Sequence, residues 1–294
     1  MKAVLCIFAM PTEIGDLARL ARTLARSPPS TSLEIDLALA LSPQLVDWKK
    51  SALPRSFFED QLASISRLLE RSFTVRARSS EDVLGCTAHR RAALERYTEA
   101  DVFCWLDPDI AFAPQTLDLL LQGCRLANQR GTHWILTPEL VRLWDATWDC
   151  LVNDQFRDKP LGYQKDNDPW ADCGVKGPLT LESVFNRIPG QPRFKFAGGW
   201  FTCLSGELLR TVGIPHSFAP YGLEDTFIMW AAEYLTRSGR AQVSQYKVKN
   251  LVVCENYRDR DHSAYRNHLT LFDRREEFLA ITRSVFQAEL ERFQ

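Results

Sequence analysis

The stretch FCWLDPDIAF, residues 103–112, carries an apolar run straight into two aspartates separated by a proline. Read together with Asp101 and Val102, DVFCWLD is apolar on both faces, as a strand in the middle of a parallel sheet must be. Pro108 biases Asp107 towards an extended backbone and has no N–H to give a ladder, so the strand is expected to stop there. In open α/β sheets, ligands bind beyond the carboxyl ends of the strands. Two hard oxygen ligands at such a place suit Mg²⁺ or Mn²⁺ carrying a nucleotide's phosphates. Asp-Pro-Asp is also an ordinary turn signal, so the surroundings have to decide.

Upstream, strands and helices alternate. KAVLCIFAM reads as a buried strand, and Ile14, Leu17, Leu20 and Leu24 then recur at helical spacing, with Thr12 placed to cap. LEIDLALAL alternates like a second strand, FEDQLASISRLLERS suits a helix, FTVRARSS a third strand and CTAHRRAALERYTEA another helix. This order indicates a sheet with helical crossovers. Downstream, PQTLDLLLQGCRLA predicts a helix, HWILTPEL a strand and VRLWDATWDCLVNDQF a helix, before a loop region over residues 157–193. RFKFAGGWFTCLS reads as a strand broken by a glycine pair, and a turn-rich piece ends in YGLEDT. FIMWAAEYLTRSG predicts a helix, YKVKNLVVCEN a strand, and a closing amphipathic helix spans 268–292.

Composition sets outer limits. The 294 residues are 45% hydrophobic and 25% charged, which fills a sizeable core. Net charge is −1, from 36 basic and 37 acidic residues, without the basic excess of a chain that coats nucleic acid or an anionic membrane. The apolar run from Ala3 to Met10 has no small-residue cleavage site after it, so a first strand is expected rather than a secretion signal. No apolar segment approaches the ~20 residues needed to cross a bilayer. The eight cysteines include no Cys-x-x-Cys pair and mostly adjoin apolar residues, as free core thiols do. A cytoplasmic protein is the expectation.

Two further stretches carry chemistry. YGLEDTF (221–227) sets Glu224 and Asp225 at the start of a predicted helix, where exposed N–H groups favour carboxylates. There, a carboxylate beside an acceptor hydroxyl can also take its proton. AGGW (197–200) breaks a strand where backbone approaches a ligand, and Trp200 offers a ring face to a sugar. The ordered set, Asp-x-Asp, then a glycine loop, then x-Glu-Asp before a helix, resembles the GT-A class of nucleotide-sugar glycosyltransferases. The resemblance runs from the first strand to about residue 268.

That resemblance implies a single GT-A-like α/β domain over 1–294, with a mostly parallel central sheet flanked by helices. Residues 1–112 would form the nucleotide-donor half and 113–294 the acceptor half, which includes a smaller acceptor-side region and the C-terminal helix. Asp107 and Asp109 would hold Mn²⁺ or Mg²⁺ on the donor diphosphate, with Asp109 the more direct ligand. Ala9, Met10, Pro11 and Thr12 would line the nucleotide, and His89, Arg90 and Arg91 would face uracil or diphosphate. Gly198, Gly199 and Trp200 would lie along donor sugar and acceptor. Glu224 would bind hydroxyls, and Asp225 would be the catalytic base, which implies inversion through an oxocarbenium-like state. His262 is the choice for a late metal ligand. Because the preceding strand ends CENY, without the histidine of the pattern, His268 and no late protein ligand stay open.

The implied donor is a UDP-sugar and the default acceptor a saccharide or a lipid-linked one. SISRLLERSFTVRARSSEDVLGCTAHRR holds six arginines against three acids, which keeps a polyanionic acceptor open: a hydroxymethylated base in phage-type DNA. Trp134, Trp144, Trp148 and Trp170 add aromatic faces in the acceptor half. A nucleotidyltransferase would need a Gly-rich phosphate loop after the first strand, where AMPTEIGDLARL has only Gly15. A non-catalytic carbohydrate-binding protein on the same fold is the remaining alternative.

Overall fold

The structure, a computed structural model, describes residues 1–82, 84–144, 178–184, 194, 200–256 and 265–294. Four parallel strands form one side of the sheet: β1 (Ala3–Ala9), β2 (Leu33–Ala40), β3 (Thr74–Ser80) and β4 (Val102–Leu106). Five more complete it: β5 (Ile110–Ala111), β6 (His133–Trp144), β7 (Leu181–Ser183), β8 (Phe201–Ser205) and β9 (Val243–Asn256). The strand order is β3-β2-β1-β4-β8-β6-β9-β5, with β7 also on β9. β8 runs antiparallel between β4 and β6, so the sheet is mixed, but its longer ladders are parallel, as the α/β expectation requires.

Helices cover both faces. α1 (Ile14–Arg26), α2 (Arg55–Leu69) and α4 (Thr116–Arg130) lie on one, where Leu17, Leu20 and Leu24 of α1 meet Leu5, Ile7, Leu37 and Phe58. α3 (Cys86–Arg96), α5 (Gly206–Val212), α6 (Glu224–Arg237) and α7 (Arg275–Leu290) lie on the other, against Val4, Cys6, Phe103 and Trp105. Burying a leucine of this kind stabilises by about 2 kcal/mol, and truncating it to alanine costs about 2–5 kcal/mol through the cavity left behind. Among the described residues no helix is long and apolar enough to cross a membrane.

Four local expectations differ from the structure. Val141–Trp144 extends β6 instead of starting a helix, because these residues pair with Val253–Asn256 of β9. Leu181–Ser183, inside the expected loop region, pairs with Tyr246–Val248 and extends the sheet. The seven-residue α5 is too short to give a periodic signal; Ser205 caps it by accepting from the Leu208 amide. The closing helix begins at Arg275, seven residues later than expected. Before it, Thr270 and Phe272 exchange backbone bonds with Asp47 and Leu45, so this segment runs as an extended strip along the loop after β2.

Candidate active site

Strand alternation builds the first part of the site. Val102, Cys104 and Leu106 point to the α1 face of the sheet, and Phe103 and Trp105 to the α3 face. Asp107 follows on the Trp105 side as the chain leaves the sheet, its amide donating to the Trp200 carbonyl at 2.9 Å. β1 lies alongside with Ile7 opposite Leu106, so the segments after β1 and β4 emerge at the same sheet edge. A third of the Asp107 side chain is exposed (33%), whereas Asp109 is buried at 2%.

The second part comes from the entry to α6. Gly222 (φ 99°) and Leu223 (φ 66°) are both left-handed, which for a leucine costs about 1 kcal/mol or more. This reversal drives Glu224 inwards, where it is 2% exposed. The next residue, Asp225, is turned by the helical rotation and stays half-buried, with its Oδ1 accepting from the Thr226 amide at 2.6 Å.

α3 joins the two parts, and it does so with polar groups. Its buried residues are Thr87, His89, Arg90 and Ala93, so no apolar stripe docks it. Thr87 Oγ1 donates to Glu224 Oε2 at 2.6 Å and accepts from the Gly222 amide at 2.7 Å. Arg90 pairs through one guanidinium nitrogen with Glu224 and through the other with Asp107 Oδ1 at 3.3 Å, while its carbon lies 4.6 Å from the centre of the Trp105 ring. Burial alone would lower the Arg90 pKa, but the carboxylates of Glu224, Asp107 and Asp225 outweigh it and raise the value, keeping the guanidinium charged. Cys86 Sγ lies 3.6 Å from Glu224 Oε1; burial and then that carboxylate push its thiol well up, so it stays protonated.

Beneath this lies a second polar knot. Asp36 of β2, fully buried, accepts from Arg96 and lies 2.9 Å from His89 Nε2, with Arg78 at 4.0 Å. Burial opposes the Asp36 charge, but the His89 hydrogen bond and the charges of Arg78 and Arg96 outweigh it and hold the carboxyl below the usual range. For His89, burial outweighs the pull of Asp36, and Arg78 and Arg90 add to it, so the ring is held neutral.

The structure thus brings together Asp107, Glu224, Asp225 and Arg90. Ala9 is buried at the end of β1, and Met10, Pro11 and Thr12 make the turn into α1, the Met10 amide donating to Glu13 at 2.7 Å. Arg91 points away and donates to the Phe218 carbonyl at 3.0 Å. Trp200 is half-buried at the start of β8. His268 is exposed, with its carbonyl taken up by Ala52. Gly198, Gly199 and His262 lie outside the described residues. Sequence reasoning missed Thr87 and the bridging of Arg90; the only available signal was a basic, apolar-poor helix following Gly85.

A hard divalent cation fits the part-exposed Asp107 carboxylate. Among the described residues no group of three or more His, Cys, Asp or Glu could hold one, so most of its coordination would come from a bound diphosphate and water.

The chain matches no protein-family model and no curated protein. Its fold is similar to that in the crystal structure of S. aureus TarS 1–349 in complex with UDP-GlcNAc. The TM-score is 0.51 at 14% identity, over 98% of this chain and 66% of that one. The crystal structure of S. aureus TarS aligns with a TM-score of 0.51 at 15% identity, over 87% of this chain and 37% of that one. The chain therefore spans less than two thirds of each of these solved chains, and the likeness is one of fold.

Proposed function

We propose that the chain is a nucleotide-sugar glycosyltransferase that moves a sugar from a UDP-linked donor to an acceptor hydroxyl. The observation that carries this reading is the Arg90 bridge. It ties the carboxylate ending β4 to the carboxylate starting α6 at one edge of the sheet, 3.3 Å from Asp107 and in direct contact with Glu224. The fold likeness adds support, since one solved protein of similar fold holds UDP-GlcNAc.

On this reading the turn Met10–Thr12 meets the nucleotide, and Asp107 and Asp109 would hold Mn²⁺ or Mg²⁺, with the part-exposed Asp107 rather than the buried Asp109 as the more direct ligand. When bound, that ion offsets charge on the departing diphosphate. Asp225, half exposed beside this edge, takes the proton from the attacking hydroxyl as it approaches the anomeric carbon from the opposite face, giving inversion. Glu224 is too buried to meet substrate without rearrangement; its task is to anchor the turn that presents Asp225. Trp200, bonded through its carbonyl to Asp107, flanks the donor sugar with Gly198 and Gly199. His262 or His268 would complete the metal site if a late protein ligand exists.

The test is release of nucleoside diphosphate from a panel of nucleotide sugars, with and without Mn²⁺, alongside Asp107→Asn and Asp225→Asn. Metal-dependent turnover of a UDP-sugar, lost in both variants, is the expected result. No turnover, together with no Mn²⁺-dependent thermal stabilisation by any donor, would overturn the reading.

A further inference from the structure

We infer that Arg90 and a divalent cation compete for Asp107, and that Glu224 acts as the positioning residue that holds Arg90 back from it. This rests on the reading of Asp107 as a metal carboxylate.

The guanidinium has little room. Arg90 is 6% exposed, stacked on Trp105 at 4.6 Å, and forked between two carboxylates of unequal burial. Its contact with the buried Glu224 is the shorter; its contact with the part-exposed Asp107 is a long 3.3 Å. Glu224 is itself fixed from the other side by Thr87 at 2.6 Å, so it cannot follow the arginine away. A cation arriving at Asp107 meets the repulsion of a fixed positive charge beside it. It binds well only while the guanidinium is committed elsewhere, and Glu224 supplies that commitment.

The chemistry gives a sign that a general loss of structure would not. Removing the Glu224 charge strengthens the hold of Arg90 on Asp107, and cation affinity should fall although Glu224 does not touch the cation. Removing both charges takes the guanidinium's charge away from Asp107, and affinity should recover. Glu224→Gln and the double variant Arg90→Gln/Glu224→Gln are near-isosteric, and the double variant buries no unpaired ion.

Binding of Mn²⁺ in the presence of saturating UDP should be followed by the electron-spin signal of the unbound ion, against the same UDP without protein, for the native chain, both variants and Asp107→Asn. Affinity is expected to fall about tenfold in Glu224→Gln and to return to or above the native value in the double variant. Glu224→Gln within twofold of native, or a double variant no better than the single, would overturn the inference. If Glu224→Gln does not fold, the double variant decides alone: affinity below native overturns it. Equal Mn²⁺ binding by native chain and Asp107→Asn would instead defeat the metal-carboxylate reading, and the inference with it.

Discussion

Thr87 holds Glu224 from 137 positions away: its hydroxyl donates to the carboxylate at 2.6 Å and accepts from the Gly222 amide at 2.7 Å. One side chain thereby fastens the turn before α6 to the first turn of α3. Thr87→Val keeps the shape and removes both bonds, leaving a buried carboxylate oxygen and a buried amide short of a partner. The expected loss is about 1–3 kcal/mol in urea unfolding, with Thr87→Ser close to native. Equal stability of the valine and serine variants would show that the hydroxyl is not the fastening.

Gly85, just before α3, is needed for a different reason. Its backbone is extended (φ −180°), a conformation open to any residue, but an added Cβ would lie 2.4 Å from the Pro220 carbonyl oxygen. That oxygen accepts from the Ala88 amide at 3.0 Å, so the close approach is what seats the Pro220–Gly222 turn on α3. Gly85→Ala is expected to cost about 1–3 kcal/mol through forced separation. Gly131, also extended and with nothing within 4 Å of its Cβ position, is the control, and its alanine variant should lie within about 0.5 kcal/mol of native.

The knot under α3 predicts a stability that falls with acid in two steps. His89 is neutral in the fold with its pKa below the ordinary 6.5, so the unfolded chain takes up a proton first as pH falls through that value. Stability is complete above pH 6.5 and declines below it until the folded ring also titrates. Asp36 is held below its ordinary 3.8, so its contribution is present above that value and lost as pH falls beneath it. The groups facing the pair come from β1, β3, α3 and the end of α3, namely Cys6, Arg78, Arg90, Arg96 and Tyr97, and burial pushes the Cys6 thiol and the Tyr97 hydroxyl further up, away from this range. Urea midpoints measured from pH 7.5 to 3 should show both declines, and His89→Gln should remove the upper one.

The sheet and the strand-end aspartates were legible because each is written in neighbouring residues. The apolar run of Val102–Leu106 gives a buried strand, and Pro108 gives its end. The role of α3 was not legible. CTAHRRAALER has no apolar stripe and reads as a solvated basic helix, yet Thr87, His89 and Arg90 are buried because their partners arrive from β2, β4 and α6. Pairing between residues 17 to 137 positions apart, on different elements, leaves no local periodicity. The misreading of Val141–Trp144 has a related cause. Val141 and Leu143 alternate like a strand while Trp144 and Trp148 repeat like a helix, and only the ladder to β9 decides between them.

Asp225 offers the sharpest test of the proposed chemistry, because its fold contacts and its basicity can be separated. Its Oδ1 accepts from the Thr226 amide at 2.6 Å and, more weakly, from the Thr226 hydroxyl at 3.3 Å. Asparagine presents a carbonyl oxygen in the same place, so Asp225→Asn keeps the local bonds and loses the negative charge at the helix start, a cost of about 0.3–1 kcal/mol. What disappears is the capacity to take a proton. Turnover should drop by about 10²–10⁴ while KM for the donor stays near native, since a base for the acceptor hydroxyl contributes little to donor binding. Asp107→Asn should behave differently, raising the Mn²⁺ concentration needed for half-maximal turnover. Steady-state diphosphate release across a Mn²⁺ series checks both. If Asp225→Asn loses less than about tenfold, the proton leaves by another route and the assignment of the base is wrong.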